Sequence, residues 1–484
     1  MNLKNIQLPL VAFFTGFVLM VFELTAARLL APTLGGSVYV WTSVIGVIIA
    51  ALSLGVWLGG IMADKRQVKS DIAWLVLTCS LSISSMLVVQ SGTLAWLGAS
   101  DYDQRLKGVL ASLILFAPTS FLIGSIGPYL AKFNVKSLES TGQSIANLDA
   151  MNALGGIFGT FLTGFLLFSI LGTRGIFLAL VLLLVALSWI ITPRLRVKQR
   201  ATFSITIGTL ALLSILAVQR MTTFPVSIDT ATSHYTIAQG ALGSQAVRVL
   251  STGPRASQSG MDMNNPNKMI FWYTNELANV VQVLGEPENI LVLGGGAFTL
   301  PVHLARQYPA ARIDSVEIDK GLTKIAKDYF YLPGLSNLNI INEDARTYIN
   351  NTKNKYNIVI VDVYSDMNVP FTFMTREYGV NIADILKKDG ALLVNAIGSR
   401  SGSCGQLLQS TIAPYAAQFP QAWAKKNPTS SDSNAANYVA YFSLQEPPSQ
   451  LLEQKYYPLQ TSESKLMTDN FAPIEPIQYR CADS

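Results

Sequence analysis

Charge is scarce in this chain: of 484 residues only 13% are Asp, Glu, Lys or Arg, while half are hydrophobic. So apolar a composition argues against a single soluble fold and makes a membrane protein the default reading. Histidine is scarcer still. With only His234 and His303 present, a multi-histidine metal site is excluded and a triad that needs His is disfavoured. The three cysteines, Cys79, Cys404 and Cys481, supply neither a disulfide framework nor a zinc pattern. Cys404 and Cys481 would pair if their half of the chain faced an oxidising compartment, but two free buried thiols is the expectation. The formal net charge of +5 is small for this length, and the basic residues do not line one face, so no nucleic-acid partner is expected. Long apolar runs are also lacking after Gln219.

Before Gln219 they dominate. Seven runs, roughly 7–31, 39–62, 72–91, 108–131, 149–171, 175–192 and 201–219, are about as long as a hydrocarbon core requires and predict a seven-helix membrane domain over 1–220. The first is too long for a signal peptide and lacks the small-residue cleavage pattern. Basic residues gather in the loops: Lys65, Arg66 and Lys69, then Lys132 and Lys136, then Arg194, Arg196, Lys198 and Arg200. The positive-inside rule makes those loops cytoplasmic, so the amino terminus is inside and seven spans leave everything after residue 220 outside. Glu23 and Arg28 are charges within the first run, five residues apart and therefore not on one helical face. "NALGGIFGTFLTGF" (152–165) and "LGVWLGG" (54–60) carry small residues at helical spacing, which predicts close helix packing.

Residues 221–285 read as a small antiparallel β unit, from "TSHYTIAQ", "QAVRVLST" and "KMIFWYT" between Gly, Pro and Asn. From 286 to 484 the rhythm changes. "NILVLGGG", "RIDSVEID", "NLNIINED", "YNIVIVDV" and "ALLVNAI" read as strands, with helices over "TLPVHLARQYP", "KGLTKIAKDYF" and "REYGVNIADILKKDG". That alternation predicts a doubly wound, Rossmann-like parallel sheet of the methyltransferase type, with its ligand beyond the carboxyl ends of the strands. Those ends carry Gly294, Gly295 and Gly296, then Glu317, Asp344 and Asp362. Glu317 follows Gly296 by 21 residues, near the offset of about 20 at which an acid takes ribose hydroxyls. "GGGAFT" lacks the third glycine that serves a pyrophosphate, and no Gly-Lys-Ser/Thr follows. A cationic nucleoside such as S-adenosylmethionine fits better, with Glu317 on the ribose and Asp344-Ala345 beside the adenine.

With those residues in view, the chain resembles the spermidine synthases, or polyamine aminopropyltransferases, and in particular their membrane-fused bacterial branch. "ILVLGGG", "VEID", "NEDAR" and "NIVIVDVYSDMNVPFTFMTREY" are similar to the family's glycine loop, ribose acid, adenine strand and catalytic loop. "YTNELAN" resembles its tyrosine-led Y-H-E-x-x-x-H segment, and Gln258 in "GPRASQSG" the glutamine after its first hairpin. "FELTAARLLAPTLGGSVYVWTSVIG", "LGVWLGGIMADKR" and the late "LMTDNFAPIE" resemble the fused branch. The resemblance implies that Asp362 deprotonates an amine oriented by Tyr273, that Gln258, Gly294, Gly295, Gly296, Glu317, Asp344 and Ala345 bind the nucleoside, and that neither a metal nor a prosthetic group is needed. The substrate would be S-adenosylmethionine or its decarboxylated form, and the product 5'-methylthioadenosine.

The departures bear on the acceptor. Ala297 stands where the family has the acid of G-G-G-D, Ser365 stands at the second acid of D-x-x-D-P with Asp366 one residue later, and Asn275 and Asn279 replace the Glu and His of the tyrosine-led segment. Three enzymatic and non-enzymatic readings stay open. One is aminopropyl transfer to an amine, with Asp366 standing in for the displaced acid. Another is a lyase in which the substrate's own carboxylate attacks, giving a lactone and methylthioadenosine, a step that orientation alone can accelerate. The third is a nucleoside sensor coupled to a transporting membrane domain. The expected partners are a small nucleoside, a polyamine as candidate acceptor and the lipid bilayer, here a bacterial inner membrane crossed many times; a homo-oligomer stays open. Tyr364 is a candidate lining residue of the amine pocket, and Asp469 and Glu475 either close the site or cap local structure.

Overall fold

The computed structural model describes residues 3–66, 68, 70–135, 140–191, 201–205, 207–209, 224–253, 257–364, 369–430, 435–459 and 466–482. They form two compact units, Met1–His234 and Tyr235–Ser484.

The first unit is helical because its apolar runs satisfy every backbone group internally, the one arrangement besides a closed barrel that hydrocarbon tolerates. Its helices are α1 (Leu3–Leu34), α2 (Val38–Lys65), α3 (Ser70–Ala99), α4 (Gln104–Leu115), α5 (Ala117–Asn134), α6 (Thr141–Leu162) and α7 (Phe168–Ile191), the last two joined by a π-helical turn, Thr163–Leu167. Among the described residues four helical stretches are long and apolar enough to cross a bilayer, or five if α4 and α5, bent by 55°, make one span. Six of the seven expected runs fall on these helices, run 108–131 on the bent pair α4 and α5, with a break in helical geometry at Gly172 between runs 149–171 and 175–192. Runs 149–171 and 175–192 fall within one helical stretch of 51 residues, Thr141–Ile191, and most of run 201–219 lies outside the described residues.

A straight helix of that length would extend about 75 Å, against a hydrocarbon core of about 30 Å. It is not straight. Gly172 leaves helical geometry at φ 63° and ψ 172°, and Asp229 accepts a hydrogen bond from the freed Thr173 N–H at 2.6 Å. The bend between α4 and α5 has a different origin: Pro118, in the first turn of α5, has no N–H and crowds the preceding turn.

Small residues draw the helices together. A Cβ on Gly155 of α6 would lie 1.8 Å from the Phe13 carbonyl oxygen of α1, and one on Gly55 of α2 would lie 2.0 Å from the Phe121 oxygen of α5. The Arg28 guanidinium sits 3.9 Å from the centroid of the Phe168 ring and donates to the Thr230 and Ala231 carbonyls at 2.6 and 2.5 Å. Residues 229–231 are thus held to the helices, which is why this unit runs on past the last apolar run to His234.

The second unit begins with a meander of β2 (His234–Leu242), β3 (Gln245–Ser251) and β4 (Ser257–Asp262); β1 (Val226–Asp229) precedes it in the first unit. Helix α8 (Trp272–Leu284) follows. Then come β5 (Asn289–Leu293), α9 (Thr299–Gln307), β6 (Arg312–Val316), α10 (Lys320–Tyr329), β7 (Leu338–Ile341), α11 (Ala345–Asn351), β8 (Tyr356–Val361), α12 (Arg376–Ile385) and β9 (Leu386–Gly398). Helix α13 (Gly402–Ala416), β10 (Gln421–Lys426), β11 (Ala436–Ser443), α14 (Ser449–Glu453), β12 (Tyr457–Pro458) and α15 (Glu475–Ala482) complete it.

The large sheet has the order β12-β10-β11-β9-β8-β5-β6-β7, parallel from β9 to β7 and antiparallel at the other end. The chain runs outward from β5 to β7, then returns to β8 on the other side of β5. That reversal opens a crevice above β5 and β8, where ligands of such sheets bind.

Three expectations are corrected. "KMIFWYT" is not a strand: Met269 makes one isolated bridge, and the Asn275 amide bonds to the Met269 and Phe271 carbonyls, fastening the start of α8. The helix over "REYGVNIADILKKDG" stops at Ile385, because Leu386 is buried and pairs with Tyr356, so strand pairing overrides the helical pattern. Cys404 and Cys481 are not two free thiols. They form a disulfide that ties α13 to α15 across 77 residues.

Candidate active site

The glycine loop is shaped by contact. Gly294 has φ 92°, and a Cβ there would lie 2.1 Å from the Asp362 carbonyl oxygen, so only glycine keeps the ends of β5 and β8 together. The Gly295 and Gly296 N–H groups donate to one oxygen of Glu317 at 3.0 and 3.2 Å, and the Asp319 N–H donates to the other at 3.0 Å. Burial raises the Glu317 carboxyl from its ordinary range, and these three N–H groups oppose the rise. Asp344 caps α11, accepting from the Thr347 N–H at 2.9 Å, with Ala345 buried beside it.

Asp362 ends β8 at the reversal. Burial pushes its carboxyl up to about 6, against the pull of hydrogen bonds from Asn395 and Tyr273. The Asn395 amide donates at 2.8 Å, and the Tyr273 hydroxyl also reaches the Gln258 carbonyl oxygen at 3.1 Å. Burial and the neighbouring Asp362 charge hold the Tyr273 hydroxyl well above the usual tyrosine range, so it stays a neutral donor. Gln258 in turn donates to the Tyr364 carbonyl at 2.9 Å and to the Thr252 hydroxyl at 2.8 Å, fastening β4 to the segment after Asp362.

Seven of the anticipated residues, Asp362, Tyr273, Gln258, Gly294, Gly295, Gly296 and Glu317, are joined through the contacts above, while Asp344 caps α11 and Ala345 follows it. Asp366 and Ser365 lie outside the described residues. Ala297 is buried, and its N–H donates to the Ser259 hydroxyl at 2.8 Å. Asn275 caps α8 rather than facing Asp362.

Sequence reasoning missed three contributors. Asn395 and Asn437 sit in strands and bond to each other at 3.0 Å; the available signal was an amide within the apolar second half of β9, ALLVNAI. Arg346 gathers the far rim, donating to the Thr375 hydroxyl at 2.9 Å, to Asp469 at 2.6 Å and to the Thr372 carbonyl. Asp469, whose N–H donates to Glu377, thereby pins the late segment to the start of α12.

Strand order, glycine loop and acids at successive strand ends make the second unit a doubly wound α/β fold of the methyltransferase type. Residues 270–400 match the spermine/spermidine synthase domain. A polyamine aminopropyltransferase of Vibrio vulnificus (strain CMCP6) is 29% identical over 215 residues, covering 39% of this chain and 69% of that protein. A probable polyamine aminopropyl transferase of Bifidobacterium longum (strain NCC 2705) is 28% identical over 167 residues, 34% of this chain and 37% of that one. Among solved structures, a probable spermidine synthase from Corynebacterium glutamicum ATCC 13032 is 21% identical, covers 46% of this chain and 82% of its own, and has a TM-score of 0.41. The helices long and apolar enough to cross a bilayer lie outside the matched residues.

Proposed function

We propose that the chain is a membrane-bound, aminopropyltransferase-like enzyme that acts on S-adenosylmethionine or its decarboxylated form with an amine acceptor. The observation that carries this reading is a buried carboxylate, Asp362, at the strand reversal, bonded by Asn395 and beside Tyr273. Asp362 takes a proton from the acceptor ammonium. The freed nitrogen attacks the carbon bonded to the sulfonium, that carbon–sulfur bond breaks, and its electron pair neutralises the sulfur, releasing 5'-methylthioadenosine. A base whose proton leaves near pH 6 is suited to this at neutral pH. Tyr273 orients the amine, and Glu317 and Asp344 hold the ribose and adenine.

One observation favours a second reading. Ala297, buried and bonded through its N–H to Ser259, offers no charge to a substrate ammonium. A substrate keeping its own carboxylate would not need one there, which is the lyase reaction. Incubating the purified protein with either donor, with and without a panel of amines, and following products by mass spectrometry separates the readings. Amine-dependent product supports transfer, amine-independent methylthioadenosine supports the lyase, and nucleoside binding without turnover leaves only a sensor.

We also infer that the protein resides in a bacterial inner membrane with its catalytic half on the outer side. The loop charges and seven apolar runs point that way, and the Cys404–Cys481 disulfide is suited to an oxidising compartment. A fusion at the C-terminal end to a reporter active only in the cytoplasm tests this; reporter activity overturns it.

A further inference from the structure

An amide side chain carries a donor at one end and an acceptor at the other, and which end faces a carboxylate decides whether it helps or harms. Asn395, 4% exposed on β9, presents its NH2 to Asp362 Oδ1 at 2.8 Å. Its own Oδ1 accepts from the NH2 of Asn437 at 3.0 Å. The register of β9 with β11 pairs Asn395 with Val439 and Ile397 with Asn437, so the two asparagines are diagonal neighbours on one face of the sheet, within side-chain reach. Were Asn395 turned over, its carbonyl would face the Asp362 carboxylate and its NH2 would face the NH2 of Asn437. Both contacts would be repulsive. The Asn395 backbone is fixed independently: its carbonyl accepts from the Tyr364 hydroxyl at 2.8 Å, and that hydroxyl accepts from the Ile397 N–H at 3.1 Å.

We propose that Asn437, on a neighbouring strand and with no contact to Asp362, is a positioning residue that sets the orientation of the Asn395 amide, so that Asp362 always receives a donor. The proposal rests on the reading of Asp362 as the base. Without that donor, Tyr273 alone opposes the effect of burial on the carboxyl, its proton is held more tightly, and less of the base form exists at neutral pH.

The test is the pH profile of turnover by the full-length protein. In Asn437→Leu the amide is free to turn, and the acid limb should move up by about half to one unit, a loss of about two- to sixfold at pH 6 that recovers above pH 8. Asn437→Asp presents only acceptors, turns the amide over and should move the limb further. Limbs that coincide with the wild type in both variants overturn the proposal. So does a shift in Asn437→Asp alone, which would be the field of the new charge. Should Asn437→Leu fold poorly, the double variant Asn395→Leu/Asn437→Leu leaves neither amide unpaired and must show the displaced limb. Asp362→Asn separates the two ideas. If it retains turnover, the base reading fails; if it is inactive while the limb of Asn437→Leu stays in place, only the role of Asn437 fails.

Discussion

In the first unit many buried hydroxyls turn back on the preceding turn: Thr15, Thr25, Ser84, Ser112 and Ser120 each bond to the carbonyl four residues earlier. In the catalytic unit the buried polar side chains reach far along the sequence, Glu276 to Lys425 and Tyr456, Asn395 to Asp362 and Gln478 to the Val369 carbonyl. The difference follows from solvent. A helix inserted in lipid has no water to satisfy a stray hydroxyl, so the nearest carbonyl of the same turn serves. A chain folding in water can leave such groups hydrated until distant partners arrive, and those distant bonds are what assemble a site from separate strands.

Breaking the longest-range chemistry should have the largest effect. Asp362→Asn removes the base, and turnover measured by methylthioadenosine release should fall by about 10²- to 10⁴-fold. The same change should stabilise the fold, with a definite sign. The native carboxyl titrates near 6 rather than 3.8, so the wild type holds its full stability below about pH 4 and loses some as pH rises through 6. The variant avoids that loss, by up to about 3 kcal/mol at pH 8 and by nothing at pH 4, readable as a pH-dependent difference in Tm.

The buried ion pair comes next. Lys425 lies 2.9 Å from Glu276, whose side chain is 5% exposed, and Lys425→Met leaves that carboxylate without its counter-charge. The expected loss is about 3 kcal/mol of stability in chemical denaturation. Because Glu276 shares α8 with Tyr273, a raised KM for the acceptor should accompany it.

Smaller again is the disulfide. Cys481→Ser frees α15, whose Gln478 bonds to the Val369 carbonyl at 2.7 Å, and should cost about 2–4 kcal/mol. Thermal unfolding with and without reductant checks it: the wild type should respond to reductant and the variant should not. The local bonds of the membrane unit should matter least. Ser84→Ala removes one back-bonded hydroxyl and should alter stability in detergent by no more than about 0.5 kcal/mol; a loss of several kcal/mol would erase the contrast between the two units.

Much of the fold was legible because it is written in periodicity. The apolar runs, the strand-helix rhythm after 286 and the acids at Glu317, Asp344 and Asp362 each follow from local spacing. Boundaries were less legible. Leu386 joins a strand because Tyr356 lies beside it, and no local pattern carries that. The Thr141–Ile191 stretch breaks at Gly172, between the two runs that hydropathy separates, with no polar loop to mark the place. Within the site, the residues named by motif were readable and their partners were not: Asn395, Asn437 and Arg346 acquire meaning only through pairings 26 to 123 residues away in sequence. The Cys404–Cys481 bond belongs to the same class, since two cysteines so far apart carry no spacing signal.

Glu317 is held by three backbone N–H groups, so its carboxylate is set by the loops themselves. A carboxylate has room for about four donors, so after Gly295, Gly296 and Asp319 have taken their places a hydroxyl of an arriving sugar can join without evicting any of them. Ligand exchange would require little reorganisation, and the free energy of association need not be spent on ordering the loop.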